Sequence, residues 1–236
     1  MSTKPLALLV LAALAACNGE AAPRKDAEIK SADFPKADRP VAPITSSRWS
    51  TEEARDRVQE AARVMDAVGL KLGMTVADIG AGEGYYTVRL AERVGPKGRV
   101  LAQDVIATVR DRLAERVYRE QLDNVSVKLG EFADPKLPAA SFDRVFMIHM
   151  YHEIEAPYEF LWRLRPSLKP GGQIVIVDAE RPTAQHGTPL RLLQCELGAI
   201  GLRMRETKPL QPGIYLAIFE ASAPRPEPAS ITPCKA

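Results

Sequence analysis

Val76-Ala77-Asp78-Ile79-Gly80-Ala81-Gly82-Glu83-Gly84-Tyr85-Tyr86-Thr87 reads as a short apolar strand, a glycine loop and the first turn of a helix. Glycines permit positive φ and let a ligand approach the backbone closely. The helix that follows turns free N–H groups toward whatever sits in the loop. This layout serves a nucleotide-like cofactor, and it serves a tight βα turn without a ligand as well. A dinucleotide fingerprint wants G-x-G-x-x-G, with pyrophosphate on the helix N-terminus. Here the spacing is G-x-G-x-G and the third residue after Gly82 is Tyr85, a bulky side chain where pyrophosphate would pack.

Working outward, Gly98-Arg99-Val100-Leu101-Ala102-Gln103 is the next strand candidate, and Asp104 ends it about 20 residues past the loop. An acidic side chain there accepts hydrogen bonds from ribose hydroxyls. Ser141-Phe142-Asp143-Arg144-Val145-Phe146 and Leu168-Lys169-Pro170-Gly171-Gly172-Gln173-Ile174-Val175-Ile176-Val177-Asp178 follow. Taken together, these segments resemble the successive motifs of the class I S-adenosylmethionine-dependent methyltransferases over roughly residues 50 to 221. The resemblance implies S-adenosylmethionine as cofactor and methyl transfer as the reaction.

The chain has 236 residues, enough for one domain with a real hydrophobic core. Its 32 basic and 30 acidic side chains give a net charge of +2, so nothing in the balance points to nucleic acid as a partner. No internal repeat and no zinc-ligand spacing is present.

The N-terminus carries a second signal. Lys4 precedes an apolar run from Pro5 to Ala16, about 12 residues, too short to span a bilayer and suited to the h-region of a signal peptide. It ends Leu14-Ala15-Ala16-Cys17, which resembles a bacterial lipobox. That resemblance implies a signal peptide over 1–16, lipidation at Cys17 and membrane anchoring. Asn18 in place of Asp favours the outer membrane, so the chain is expected as an exported, periplasm-facing lipoprotein. A plain signal peptide or an unprocessed apolar tail is the alternative. Residues 17–47, with Pro23, Pro35, Pro40 and Pro43, read as a flexible linker whose Arg39–Ile44 stretch is apolar enough to lie across a domain surface. A domain over 48–221 follows. Residues 222–236, with four prolines, read as a disordered tail. A disulfide between Cys195 and Cys234 is not expected, because it would join a helix to that tail.

Between the ends, helix and strand patterns alternate. Ser50 or Thr51 caps a helix beginning at Glu52, with Val58, Ala61, Ala62, Met65 and Val68 on one face. Strands are expected at 76–79, 99–103, 125–129, 142–148 and 173–177, with helices near 85–94, 106–121, 157–168 and 190–199. Short apolar runs between helices indicate a parallel sheet covered on both faces. The segments 202–207 and 214–219, with Gln211-Pro212-Gly213 between them, resemble the hairpin that puts the antiparallel last strand into a methyltransferase sheet. The pattern predicts a doubly wound α/β fold, and the resemblance implies a mostly parallel, seven-stranded sheet of the Rossmann-like methyltransferase type.

Ligands of such sheets bind at the carboxyl ends of the strands where strand order reverses. That rule puts Asp78, Gly80, Ala81 and Gly82 around the methionine part of the cofactor, with Tyr85 and Tyr86 near the sulfonium or simply packing the helix start. Asp104 takes the ribose, and Val105 lies against the adenine. The family resemblance implies an acidic acceptor for the adenine amino group in the loop Gly130-Glu131-Phe132-Ala133-Asp134-Pro135. Glu131 and Asp134 compete for it, and Asp134 equally suits a turn cap. The resemblance also places Tyr151, His152 and Glu153 at the rim of the acceptor pocket. There His152 is either a general base or an orienting group. His149 and His152 have H-x-x-H spacing, but no motif supplies a third ligand, so no metal is expected. His186 either helps close the pocket or is simply exposed.

The acceptor has no recognisable code, and a small molecule or lipid-like compound is favoured. Two other readings stand beside the methyltransferase: an exported lipoprotein that binds a nucleoside-like or small ligand without catalysis, and a nucleotide-linked oxidoreductase, which the glycine spacing disfavours.

Overall fold

Seven strands form one sheet in the order β3-β2-β1-β4-β5-β7-β6 in the computed structural model, which describes residues 29–44 and 51–235. The strands are β1 (Thr75–Ile79), β2 (Arg99–Asp104), β3 (Val125–Leu129), β4 (Phe142–Ile148), β5 (Leu168–Ala179), β6 (Leu202–Gln211) and β7 (Ile214–Ala221). The helices are α1 (Glu52–Arg57), α2 (Glu60–Ala67), α3 (Tyr85–Val94), α4 (Ala107–Arg119), α5 (Pro157–Leu164) and α6 (Leu190–Ala199). Neighbours from β3 through β5 pair in parallel, and β7 runs antiparallel between β5 and β6. Strand order reverses between β1 and β4, and the crevice at their carboxyl ends is where such sheets bind ligands. The expected doubly wound sheet with its antiparallel last strand is present.

The chain divides into two units, Met1–Lys30 and Ser31–Ala236. Of the first, only Ile29 and Lys30 are described, and neither lies in a regular element. The proposed signal peptide and Cys17 lie outside the described residues. Among the described residues, no helix is long and apolar enough to cross a membrane.

In the second unit the core follows from β-branched and aromatic runs buried on both sheet faces. Val145, Phe146 and Met147 of β4 and Ile174 to Val177 of β5 are fully buried, as a central parallel sheet requires. One layer is closed by Val64 and Met65 of α2, Val68 at its C-cap, and Leu90, Ala91 and Val94 of α3, which pack on Val76, Val100 and Phe146. Each of the valine, leucine, methionine and phenylalanine side chains contributes about 1.5–3 kcal/mol on full burial.

Three local differences from the sequence reading have physical causes. The expected first helix breaks at Gln59, whose φ of 51° is left-handed, and α2 restarts with Glu60 turned inward. The break follows a buried polar network rather than apolar periodicity; Val58, expected on the buried face, is exposed. Helix α5 ends at Leu164 and continues as a 3₁₀ turn, Arg165–Ser167, because Pro166 supplies no N–H. β6 extends beyond its apolar run because the hairpin ladder with β7 carries polar residues along with it, and β5 is lengthened by pairing with β4 at Leu168 and with β7 through Ala179.

The ends of this unit are not loose. Ser31 Oγ donates to Glu159 at 2.9 Å, and Phe34 meets Trp162 edge-on at 5.5 Å. Arg39 Nε donates to Glu196 Oε1 at 2.8 Å with both side chains wholly buried, and Arg39 also reaches the Ile154 carbonyl. Residues 31–44 are therefore a strap docked on the domain: its 39–44 part lies across the surface as expected, while residues 31–38, expected as flexible linker, are docked as well. The proline-rich tail is docked too: Arg225 stacks on Trp162 at 3.4 Å, and Trp162 Nε1 donates to the Pro226 carbonyl. Cys234 bonds to Cys195 of α6, with Cα atoms 6.0 Å apart, and its N–H donates to the Tyr158 hydroxyl. The disulfide that the sequence reading rejected is formed, because the tail returns to α6 instead of leaving the surface.

Candidate functional site

A cleft of about 890 Å³ opens at the carboxyl ends of β1, β2 and β4. Its floor is the glycine loop. Gly80 and Gly82 have φ of 64° and 56°, the left-handed region that favours glycine. Ala81 N–H donates to the Gln103 carbonyl, and Gly84 N–H donates to the Ala81 carbonyl, so the loop is tied both to β2 and to itself. Gly80, Ala81, Gly82, Tyr85, Asp104 and Val105 all line the cleft, as the sequence placed them.

Asp104 anchors the loop from the next strand. Its Oδ2 accepts the Gly82 N–H at 3.0 Å and its Oδ1 accepts the Ile106 N–H at 2.9 Å. Each carboxylate oxygen has a second lone pair, so the group can still accept hydroxyls from the cleft side.

Asp78 does not line the cleft. It is buried beneath the loop and accepts from Thr87 Oγ1 at 2.6 Å, joining β1 to α3. Burial pushes its carboxyl up to about 6, with the Thr87 hydroxyl working against the shift. Asp78 therefore shapes the loop from below.

The two tyrosines are held by charged neighbours from α1, α2 and α3. The Tyr85 ring lies between the guanidinium groups of Arg55 and Arg89, at 3.9 and 3.8 Å from its centroid, and its hydroxyl donates to Asp56. Burial, helped by Asp56, pushes that hydroxyl up to about 12. Tyr86 donates to Glu60 Oε1 at 3.2 Å. Glu60 also takes Arg55 and meets His149 Nε2 at 3.4 Å. Burial alone would raise the Glu60 carboxyl, but His149 and Arg55 hold it down at about 2.

Neither candidate for the adenine amino group reaches the cleft. Glu131 and Asp134 close a small turn through their backbones and share Lys136 through their carboxylates. Phe132, carried between them, is the residue of that loop on the cleft wall.

A residue that the sequence reading used only as strand stands out instead. Gln103 is 1% exposed and lines the cleft, and neither its Oε1 nor its Nε2 has a hydrogen-bond partner. It presses against Gly130 so closely that a Cβ there would lie 1.4 Å from Nε2. A buried amide left this way costs about 1–3 kcal/mol unless something in the cleft meets it. The signal in the sequence was an amide at the end of an otherwise apolar strand.

The acceptor-side triplet divides. Glu153 lines the cleft. Tyr151 is fully buried and donates to Glu196 Oε2 at 2.7 Å, so it belongs to the Arg39–Glu196 network and not to the pocket rim. His152 is buried, does not line the cleft, and has its Nδ1 2.9 and 3.1 Å from the Asp178 carboxylate. His149, which is in the lining, has φ of 55° and turns to Glu60, so the H-x-x-H pair does not converge. His186 packs edge-on against His152 at 5.4 Å.

At the mouth, Glu52 of α1 is held by Arg116 and Arg89, and Arg116 also donates to the Glu83 carbonyl. These contacts draw α1 over the glycine loop. The opposite wall is apolar, with Val41, Ala42 and Ile44 of the strap and Ile148, Met150 and Ile154 beside them.

Residues 76–172 match the family model described as "Methyltransferase domain". Nocamycin O-methyltransferase of Saccharothrix syringae is 40% identical over 85 residues, covering 36% of this chain and 30% of that protein. Protein-L-isoaspartate O-methyltransferase of Ignicoccus hospitalis is 31% identical over 124 residues, covering 52% of this chain and 56% of that protein. The chain thus spans from under a third to just over half the length of these relatives. A solved SAM dependent methyltransferase from Aquifex aeolicus superposes with a TM-score of 0.66 at 28% identity, covering 70% of this chain and 92% of that one. The sheet order and these matches agree on the fold: a seven-stranded, Rossmann-like methyltransferase-type sheet, within which residues 76–172 match the methyltransferase-domain model.

Proposed function

We propose that the protein transfers the methyl group of S-adenosylmethionine to a small-molecule or lipid-like acceptor by in-line displacement. The observation that carries this reading is the Gly82–Asp104 pair with Gln103 beside it. A carboxylate able to take ribose hydroxyls stands next to an amide whose donor and acceptor both match a nucleobase edge. Phe132 supplies an aromatic face, and the open glycine loop leaves room for the methionine part. The cofactor supplies an electrophilic methyl whose sulfonium charge disappears on transfer. The residues of this chain contribute by aligning donor and acceptor, which can supply several kcal/mol. No covalent enzyme intermediate is needed. Where the acceptor carries a proton that must leave, Glu153 is the triplet member on the cleft wall to take it, while His152 acts from behind that wall.

The apolar wall built by the strap supports an apolar acceptor. Export with a lipid at Cys17 is part of the proposal; it rests on the Leu14–Cys17 sequence and is supported by the Cys195–Cys234 disulfide, which suits an oxidising compartment. Transfer of a labelled methyl group from S-adenosylmethionine to a panel of quinol, phenol and lipid acceptors tests the activity. Tight cofactor binding with no transfer across the panel would favour a ligand-binding lipoprotein. A Cys17→Ser chain that stays membrane-bound with unchanged processing would contradict the anchor.

A further inference from the structure

We propose that His152, Glu153 and His186 form a binding site for one divalent first-row transition ion in the wall of the cleft. One ligand atom from each of the three lies within 4.8 Å of the others. Bonds of about 2.1 Å to a shared tetrahedral ion would set such atoms roughly 3.4 Å apart, so small side-chain rotations complete the set. Two imidazoles and one carboxylate suit zinc, cobalt, nickel or iron(II) better than magnesium or calcium, which prefer oxygen alone.

The surroundings are arranged as such a site needs. Asp178 fixes the His152 ring through Nδ1 and is itself held by the Ala179 N–H at 2.9 Å and the Thr188 hydroxyl at 2.7 Å. A carboxylate on one ring nitrogen sets the tautomer that presents the other nitrogen as a ligand. His186 follows the 3₁₀ turn Thr183–Gln185 in a left-handed conformation, φ 56°, with its carbonyl taken by Arg181 Nε. The strap ties the two ligand-bearing segments together: Ala42 N–H donates to the His152 carbonyl, and Thr183 Oγ1 donates to the Pro40 carbonyl. Glu153 is the ligand of the three that also lines the cleft.

The test is titration of the tag-free, chelator-treated full chain with Co²⁺, read by visible d–d absorption, and with Zn²⁺, read by calorimetry. One equivalent of each should bind at micromolar Kd or tighter, with cobalt bands typical of nitrogen and oxygen ligands. His186→Ala and Glu153→Gln should each weaken binding at least 10-fold, and Asp178→Asn about 10-fold, consistent with the cost of losing an outer-shell partner. His149→Ala should bind as the parent does. Matched circular dichroism and melting temperature confirm that a variant is folded, and the two ligand variants report independently. No saturable binding at one equivalent, or unchanged binding in folded His186→Ala or Glu153→Gln, would overturn the site. The measurement uses no methyl donor, so its failure leaves the proposed activity standing.

Discussion

Asp104 and Gly82 are joined across two strands: the carboxylate at the end of β2 accepts the N–H of the glycine that closes the β1 loop, at 3.0 Å. One side chain thus shapes the loop and lines the cleft, where the proposed cofactor would place its ribose. Replacing it with alanine removes both functions, and hydrogen bonds to charged groups are worth about 1.5–3 kcal/mol each. Asp104→Ala should therefore weaken S-adenosylmethionine binding about 10- to 100-fold by calorimetry, and Asp104→Asn by less. Unchanged affinity in either would remove Asp104 from the site.

Gln103 separates a binding role from a structural one by sign. Its amide is buried without partners, so Gln103→Leu should raise the stability of the ligand-free protein by about 1 kcal/mol. The same variant should bind S-adenosylmethionine roughly 10-fold more weakly. Melting curves with and without ligand read both effects, and a stabilised variant with full affinity would show that the amide is a packing residue.

The strand positions, the parallel sheet and the site at its switch point could be read from the chain because they follow from short apolar runs and glycine spacing. The place of Asp104 on the cleft was legible for the same reason, its distance from the loop. The roles of Asp78, Tyr85 and Tyr151 were not, because each is decided by a partner distant in sequence or in space: Thr87 below the loop, Arg55 and Arg89 on the two ring faces, and Glu196 on α6. The strap and the tail were misread for a related reason. Proline-rich composition describes a segment that forms no helix or strand, yet Arg39, Trp162 and Cys195 give those segments specific partners.

The two perturbed carboxyls behind the cleft, Asp78 and Glu60, give opposite pH dependences. Asp78 has its folded value raised from 3.8 to about 6, so its contribution to stability is complete below 3.8 and is lost as pH rises through 6. Glu60 has its folded value lowered from 4.5 to about 2, so its contribution is present above 4.5 and is lost as pH falls toward 2. Asp78→Asn should gain stability relative to the parent between pH 4 and 7, on the order of 1–3 kcal/mol. Glu60→Gln should be less stable at pH 7, with the deficit closing below pH 4. Urea unfolding across pH 3 to 8 checks both signs.

Arg39 and Glu196 are a buried ion pair that fixes the strap. Arg39→Ala strands the Glu196 charge and should cost about 3–5 kcal/mol, whereas Arg39→Met with Glu196→Gln should recover most of it while leaving Tyr151 an acceptor. Cys234→Ser should cost about 2–4 kcal/mol. Chemical denaturation of these variants measures each cost, and equal losses in the single and double strap variants would mean that the pair contributes only packing.

The most direct measurement of the central claim is calorimetric titration of the full chain with S-adenosylmethionine, its demethylated product and NAD. One site should bind the first two at micromolar Kd and leave NAD unbound, with both affinities falling in Asp104→Ala. Absence of binding by the methyl donor and its product, or preference for NAD, would contradict the assignment of this cleft as a methyl-donor site.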